Sequence, residues 1–235
     1  MELIPVVDLM AGAVVRGMRG DRARYRPIES ALCAGSDPAT MAGKLVSHCA
    51  ATTLYVADLD AIMRASPQWS ALESLLAALP QTVRLWLDAG FADADRAAAV
   101  IARLAGADAA LQQRVIPVFG TESLASLSAA ADCLALPGAV LSLDRRAGHA
   151  LDPAGLHERP ERWPERVIAM TLDQVGADAG PDLAGIARLR SLKQGLCPYG
   201  AGSIRHAADL DAARAAGAAG WLVASALHDG RIPPA

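Results

Sequence analysis

Two aspartates at corresponding places in the two halves of the chain offer acid–base chemistry. Asp8 follows the apolar run Leu3–Val7, and Asp144 follows the apolar run Ala139–Leu143. A carboxyl group removed from water has a raised pKa and can donate a proton, whereas a better-solvated carboxylate accepts one. Two such groups facing one cavity can divide the roles of general acid and general base. We interpret both as candidate catalytic residues; the alternative is that each only caps a loop.

Small residues follow four other apolar runs, as is typical of turns in which backbone amides approach an anion closely. They are Gly90, Gly120 and Thr121 in the first half, and Gly202, Ser203, Ala224 and Ser225 in the second. The pattern predicts two phosphate sites, one in each half. The second is favoured, because the loops after strands seven and eight of a β/α barrel commonly hold phosphate. The alternative is that these residues merely allow tight turns.

Several further polar residues close apolar runs and are weaker candidates for contact with a substrate. Asp58 and Asp60 end the second run, and at least one of them is expected to project into the site. Thr171 and Asp173 end the sixth run, where a hydroxyl can position a substrate and a carboxylate can assist proton transfer. The five histidines and four cysteines show no metal-ligand spacing, so no metal site is predicted.

The elements that must position these residues alternate regularly between strand and helix. Ala- and Leu-rich stretches with helical spacing separate most of the short apolar runs, which predicts a parallel sheet with helical crossovers. Eight such runs in 235 residues favour one closed (β/α)8 barrel, a TIM barrel, as a single domain over 1–235. The alternative, an open doubly wound sheet, lacks its usual Gly-x-Gly-x-x-Gly turn here. The runs are Leu3–Val7, Thr53–Ala57, Val83–Leu87, Val115–Val118, Ala139–Leu143, Val167–Thr171, Leu196–Tyr199 and Gly220–Val223.

The two halves of the chain repeat a common order of features. Asp8-Leu9-Met10-Ala11-Gly12 corresponds in form to Asp144-Arg145-Arg146-Ala147-Gly148, and the small-residue turns follow in the same sequence. We therefore predict two duplicated half-barrels. The segment 230–235 comes almost directly after the eighth run, which predicts that the final helix is missing and an apolar flank exposed. A second subunit is expected to cover that flank, making the protein a homodimer.

The charge and hydropathy of the chain argue against some classes of binding partner. The net charge of −3 with scattered arginines gives no basic face, which argues against nucleic acid or an anionic membrane as the main partner. No long apolar stretch or basic leader is present, so a cytoplasmic location is expected. A small phosphorylated molecule is the predicted partner.

Several ordered motifs resemble the histidine-biosynthesis barrel family, and its isomerase branch more than its cyclase branch. They are Ile4-Pro5-Val6-Val7-Asp8-Leu9, Val14-Val15-Arg16, Val56-Ala57-Asp58-Leu59-Asp60, Ser142-Leu143-Asp144, Gly200-Ala201-Gly202-Ser203 and Val223-Ala224-Ser225-Ala226-Leu227. The resemblance implies a substrate with two phosphates and an Amadori aminoaldose-to-ketose rearrangement without cofactor. It further implies Asp8 as the base, Asp144 as the acid that opens the ribose ring, Thr171 as a positioning hydroxyl and Arg16 as a weaker substrate contact.

Two departures from the family pattern leave the substrate open. Asp88-Ala89-Gly90-Phe91-Ala92 stands where the family has Gly-Gly-Gly-Ile-Arg, and 173–178 replaces its Asp-Gly-Thr loop. An acidic Asp88 beside a phosphate is unfavourable unless it turns away. Three hypotheses follow: the histidine-pathway isomerase, a diverged paralogue acting on another phosphorylated substrate, as in organisms that make tetrahydromethanopterin, or a non-catalytic phosphate-ligand-binding barrel.

Overall fold

A computed structural model describes residues 1–235, and its centre is a closed barrel of eight parallel strands. Each strand pairs with the next along the chain, and the eighth pairs with the first through Glu2 and Gly220. The eight predicted runs all form strands, which confirms the (β/α)8 barrel. The strands are β1 (Glu2–Met10), β2 (Thr53–Asp58), β3 (Arg84–Asp88), β4 (Val115–Gly120), β5 (Val140–Arg146), β6 (Arg166–Thr171), β7 (Cys197–Ala201) and β8 (Gly220–Val223).

Nine helices surround the strands, and side-chain caps fix where many of them begin. Asp37, for example, accepts from the Thr40 amide at 2.8 Å, as Asp-Pro at a helix start predicts. Short 3-10 turns at Leu156–Glu158 and Pro160–Arg162 replace an α-helix between β5 and β6. The helices are α1 (Pro38–Cys49), α2 (Leu59–Arg64), α3 (Trp69–Ala78), α4 (Ala94–Ala105), α5 (Ala109–Arg114), α6 (Leu127–Leu134), α7 (Leu183–Leu192), α8 (Ala207–Ala215) and α9 (Ser225–His228).

Aromatic side chains close the amino end of the barrel interior. Trp86 and Tyr199 meet edge to face with ring centroids 4.9 Å apart, and they belong to a buried cluster with Ile4, Val140 and Leu222. A larger apolar cluster fills the space between the strands and the helices. The side chains of the Trp86 cluster fill the barrel interior. The space available to a ligand therefore lies at the carboxyl end of the strands. None of the helices has the length and apolar character needed to cross a membrane.

Two similar hairpins extend β1 and β5. The first returns as Ala13–Arg16 after Ala11 (φ 50°) and Gly12 (φ 81°); the second returns as His149–Ala150 after Ala147 (φ 49°) and Gly148 (φ 77°). Two consecutive residues with positive φ are typical of tight hairpin turns. Each hairpin turn begins three residues after a candidate catalytic aspartate, so the halves agree in backbone as well as in sequence.

The last residues of the chain cover the flank that the sequence predicts to be exposed. After α9 the chain packs against α1, where the Ala235 amide donates to the His48 carbonyl at 3.0 Å and Ile232 is 5% exposed. The exposed large apolar side chains are Met63 on α2 and Leu192 on α7. The prediction of an exposed flank is therefore wrong, and the homodimer built on it stays an untested prediction.

Candidate active site

A cavity opens at the carboxyl ends of the strands, with about 1010 Å³ of space counting its open mouth. Residues from both halves of the barrel line it, in agreement with the position of ligand sites in β/α barrels. Its polar lining includes Asp8, Tyr55, Asp88 and Asp144 from the strand ends, together with Arg22, Glu122, Arg146 and Asp178 from the loops.

Asp144 is the most enclosed of the cavity carboxyl groups. It is 5% exposed and accepts hydrogen bonds from the Ser142 hydroxyl at 2.7 Å and from the Glu122 amide at 3.1 Å. Burial, reinforced by the nearby Glu122 and Asp88 carboxylates, raises the pKa of Asp144 to about 8. The group is therefore mostly protonated at neutral pH and can donate a proton.

Asp8 lies on the opposite side of the cavity, at the end of β1. Its carboxylate keeps part of its surface open to the cavity, and the Gly17 loop packs beside it. Burial raises the pKa of Asp8 to about 7, with Asp88 adding to the effect and Arg22 opposing it. The structure thus brings the two predicted catalytic carboxyl groups to one cavity, where burial raises the pKa of each.

Asp88 is a third cavity carboxylate, which the sequence reasoning did not include among the site residues. It accepts hydrogen bonds from the Tyr55 hydroxyl and the Gly90 amide, both at 3.1 Å, and burial raises its pKa to about 6. It points into the cavity instead of turning away. The available signal was its position: Asp8, Asp88 and Asp144 end β1, β3 and β5, and alternate strands contribute to one interior layer.

Two arginines at the mouth were also missed. Arg22 forms an ion pair with Glu122 at 2.8 Å, joining the loops after β1 and β4. Arg146 lines the cavity near Gly20 and forms no ion pair. Both lie in loops, where apolar periodicity gives no information on side-chain direction.

The loops after β1 and β6 close over the cavity against each other. The Arg19 amide donates to the Val175 carbonyl at 2.7 Å, and Gly176 rests on the carbonyl of Gly17 with no room for a Cβ atom. Gly176 has a φ of 67°, so glycine is favoured there for both its conformation and its size. The two loops form one joint wall of the site.

The four predicted phosphate residues of the second half all line the cavity. Gly202 and Ser203 have positive φ values of 76° and 57°, which turn the chain sharply after β7. The amides of Ser203, Ile204 and Ala224 donate to no protein acceptor. Unpaired amides converging on a cavity can bind an anion.

The three predicted phosphate residues of the first half, Gly90, Gly120 and Thr121, do not line the cavity. A Cβ on Gly90 would lie 2.7 Å from Ile62 Cα, so this glycine packs against α2 and does not line the cavity. A Cβ on Gly120 would lie 2.8 Å from an Asp144 carboxylate oxygen. Thr121 is fully buried, and its hydroxyl accepts from the Asp144 amide at 2.9 Å.

Substitution of Gly90 by alanine is expected to lower stability without weakening phosphate binding. The new Cβ would overlap the α2 backbone. The loss in free energy of unfolding should therefore be ~1–3 kcal/mol larger than for the same substitution at a glycine that also has positive φ but has free space around its Cβ position. Gly195 is that control, since its φ is 72° and nothing lies near its Cβ position. Urea unfolding of Gly90→Ala and Gly195→Ala measures the difference; a weaker affinity of Gly90→Ala for inorganic phosphate at unchanged stability would contradict this structural role.

Asp58 and Asp60 have structural roles outside the cavity, which corrects their prediction as substrate contacts. Asp58 is fully buried and accepts from the amides of Ala61 at 3.0 Å and Gln68 at 2.8 Å, so it caps α2. Asp60 accepts from the Ala11 amide at 2.9 Å. The end of β2 predicted the position of the two residues but not where their side chains point. Because α2 begins directly after Asp58, both side chains bind backbone amides near the start of that helix.

Thr171 and Asp173 also lie outside the cavity. The Thr171 hydroxyl points between β6 and α7 and donates to Asp182 at 3.4 Å, while its neighbour Met170 faces the cavity. Asp173 accepts from the Ala147 amide and ties the loop after β6 to the β5 hairpin. The positioning role of Thr171 is therefore unsupported here, because alternation along β6 turns it outward.

Arg16 is likewise directed away from the cavity. It pairs with Asp229 at 2.7 Å, and Asp229 in turn pairs with Arg231 at 2.8 Å. Arg231 also pairs with Asp178 on the loop after β6 at 2.8 Å. Arg16 thus belongs to an ion-pair chain that joins the β1 hairpin to the end of the protein.

This barrel, with acid–base groups at the carboxyl ends of its strands, defines a β/α-barrel enzyme. A family model described as "Histidine biosynthesis protein" matches residues 2–233. The chain belongs to this family and is an enzyme of the isomerase type, the activity for which the relatives below are named.

Two curated relatives align over almost the whole chain, and a third aligns over part of it. An Anaeromyxobacter dehalogenans protein, 31% identical over 99% of this chain and 95% of its own, is named 1-(5-phosphoribosyl)-5-((5-phosphoribosylamino)methylideneamino) imidazole-4-carboxamide isomerase. A Paracoccus denitrificans protein with the same name is 27% identical over 99% of this chain and 96% of its own. A Methanocaldococcus jannaschii protein named only as uncharacterised is 43% identical over 27% of each chain.

Proposed function

We propose that the chain isomerises a phosphorylated small molecule, with Asp8 as general base and Asp144 as general acid. The observation that carries the proposal is their placement on opposite sides of one cavity, each with a raised pKa. The unpaired amides of Ser203, Ile204 and Ala224 supply the phosphate site at the rim. The raised pKa values argue against a non-catalytic barrel. Burying carboxyl groups lowers the stability of the protein, and such perturbed groups cluster at catalytic sites.

The proposed chemistry is an Amadori rearrangement of an aminoaldose. Asp144 protonates the ring oxygen as the nitrogen lone pair opens the sugar, leaving an iminium at C1. Asp8 removes the proton from C2 to give an enol amine. Asp8 then returns its proton to C1, and the C2 hydroxyl loses its proton to Asp144 and becomes a ketone. The product is an isomer of the substrate, so no oxidant or reductant is consumed.

Two substrates are candidates. The names and coverage of the relatives favour the two-phosphate aminoaldose ribotide of the histidine pathway. The turn after β4 favours a different phosphorylated substrate, because its amides all donate within the protein, whereas those of Ser203, Ile204 and Ala224 do not. We favour the second candidate on this geometry. The matching hairpins after Asp8 and Asp144 also support our proposal that the halves arose by duplication.

The pH dependence of kcat/KM is expected to be bell-shaped. Activity requires Asp8 ionised and Asp144 protonated, so the rate rises as pH passes the Asp8 value of about 7. It falls as pH passes the Asp144 value of about 8. Initial rates from pH 5.5 to 9.5 measure the profile. A flat profile over this range would remove the pair from the mechanism.

The direct test is to mix the purified protein with the aminoaldose ribotide and follow ketose formation by absorbance. Turnover would establish the histidine-pathway substrate. Absence of turnover by a protein that still binds inorganic phosphate in a thermal-shift assay would support the other phosphorylated substrate. Absence of both turnover and phosphate binding would reject the proposed function.

A further inference from the structure

We infer that Asp88 determines specificity: it excludes a second phosphate from the first half of the barrel and binds an ammonium group of the substrate instead. The substrate is then a monophosphate that carries an amine away from its phosphate. This inference rests on the proposed function, because it assigns the other end of the molecule whose phosphate the second half holds.

Backbone hydrogen bonding distinguishes the turn after β4 from the turns after β7 and β8. In the turn after β4, the amides of residues 121–124 all donate within the protein: those of Thr121 and Glu122 to Ser142 O at 2.9 Å and Asp144 Oδ2 at 3.1 Å, and the other two to Gly120 O. In the second half, the amides of Ser203, Ile204 and Ala224 are unpaired. An anion needs free donors. The turn after β4 therefore offers a phosphate no free amide, unlike the turns after β7 and β8.

Carboxylates occupy the space in which a first-half phosphate would sit. The position of a Cβ on Gly120 is 2.8 Å from an Asp144 oxygen and 3.9 Å from an Asp88 oxygen. Gly90, the other candidate for close approach, faces the α2 backbone at Ile62. A phosphate dianion placed here would be repelled by the Asp88 carboxylate in a partly desolvated space, where repulsion between like charges is strong.

A cation suits the same position. Asp88 forms no ion pair, because the nearby Arg22 is engaged by Glu122 at 2.8 Å. The Tyr55 hydroxyl and the Gly90 amide each donate one hydrogen bond to Asp88, which fixes the carboxylate and leaves acceptor capacity toward the cavity. An ammonium group supplies donors and the opposite charge.

The test is calorimetric titration of the full chain at pH 7.5 with three six-carbon sugar phosphates. Glucosamine 6-phosphate carries the amine, glucose 6-phosphate carries a hydroxyl in its place, and fructose 1,6-bisphosphate carries a second phosphate. We expect the amine to bind about tenfold more tightly than the hydroxyl compound, and the bisphosphate about tenfold more weakly. Asp88→Asn should abolish the preference for the amine, and Asp88→Gly should also improve bisphosphate binding. Asp211→Asn, an exposed acid on α8, is the matched control and should behave as wild type.

The outcomes separate the two proposals. Glucose 6-phosphate reports the phosphate site alone. If it binds as tightly as glucosamine 6-phosphate, or if the bisphosphate binds more tightly than either, the inference is overturned. The proposed function would still stand, because the phosphate site would have been shown to bind. Binding of none of the probes, and of no inorganic phosphate, would overturn both. An amine preference that survives in Asp88→Asn would reject Asp88 as its source.

Discussion

Substitution of Asp144 by asparagine is expected to lower kcat by about 10²–10⁴-fold while the protein remains folded. Asparagine has nearly the same shape: its Oδ1 can accept from the Glu122 amide, and its NH2 group can donate to the Ser142 hydroxyl oxygen, at the places where the carboxyl oxygens now accept at 3.1 and 2.7 Å. It cannot deliver a proton to a ring oxygen. The measurement is kcat at pH 7.5 on the substrate that the direct assay identifies.

The control for this experiment is an acid of the same type outside the cavity. Asp132 lies exposed on α6, so Asp132→Asn should keep the wild-type rate. Thermal unfolding of both variants shows whether the fold is retained. A folded Asp144→Asn enzyme with a rate within a few-fold of wild type would exclude Asp144 as the general acid.

Truncation of Trp221 to alanine is expected to produce the largest loss of stability, about 3–5 kcal/mol. Trp221 is fully buried on β8, and its ring lies so close to Gly200 that a Cβ there would overlap it. Its indole Nε1 also donates to the Gly202 carbonyl at 2.9 Å, which holds the turn after β7. Weaker phosphate binding should accompany the lost stability.

Trp221→Phe separates these two contributions. Phenylalanine keeps most of the apolar volume and loses the indole N–H, so it should cost less stability than alanine while still loosening the Gly202 turn. Urea unfolding gives the free energy of unfolding, and titration with inorganic phosphate reports the turn. A Trp221→Ala variant that unfolds at the same urea concentration as wild type would contradict the packing argument.

The barrel was predictable because its signal is repeated and local. Each buried strand, such as Val115–Gly120, is a short apolar run, and eight runs of this kind with helical intervals admit few architectures. The place of Asp8 and Asp144 was predictable for a related reason, since both follow apolar runs at corresponding positions in the two halves.

The remaining site residues depended on information that the sequence does not carry locally. The sequence gives no sign that the Thr171 hydroxyl points outward or that Arg16 pairs with Asp229, more than 200 residues away. The first-half glycines looked suited to phosphate because small residues permit close approach. Which atoms come close to such a glycine depends on tertiary structure. At Gly120 the close atoms belong to the Asp144 side chain.

The joint wall formed by the loops after β1 and β6 has a consequence for engineering and for evolution. Gly176 lies directly against the Gly17 carbonyl. A side chain at position 176 would therefore overlap the loop after β1 unless that loop shifted. A transplant of one loop from a relative should therefore fail, whereas a transplant of both as a unit should succeed. Changes of substrate in this lineage would then require paired replacements in two segments about 160 residues apart, which makes single-step drift between activities rare.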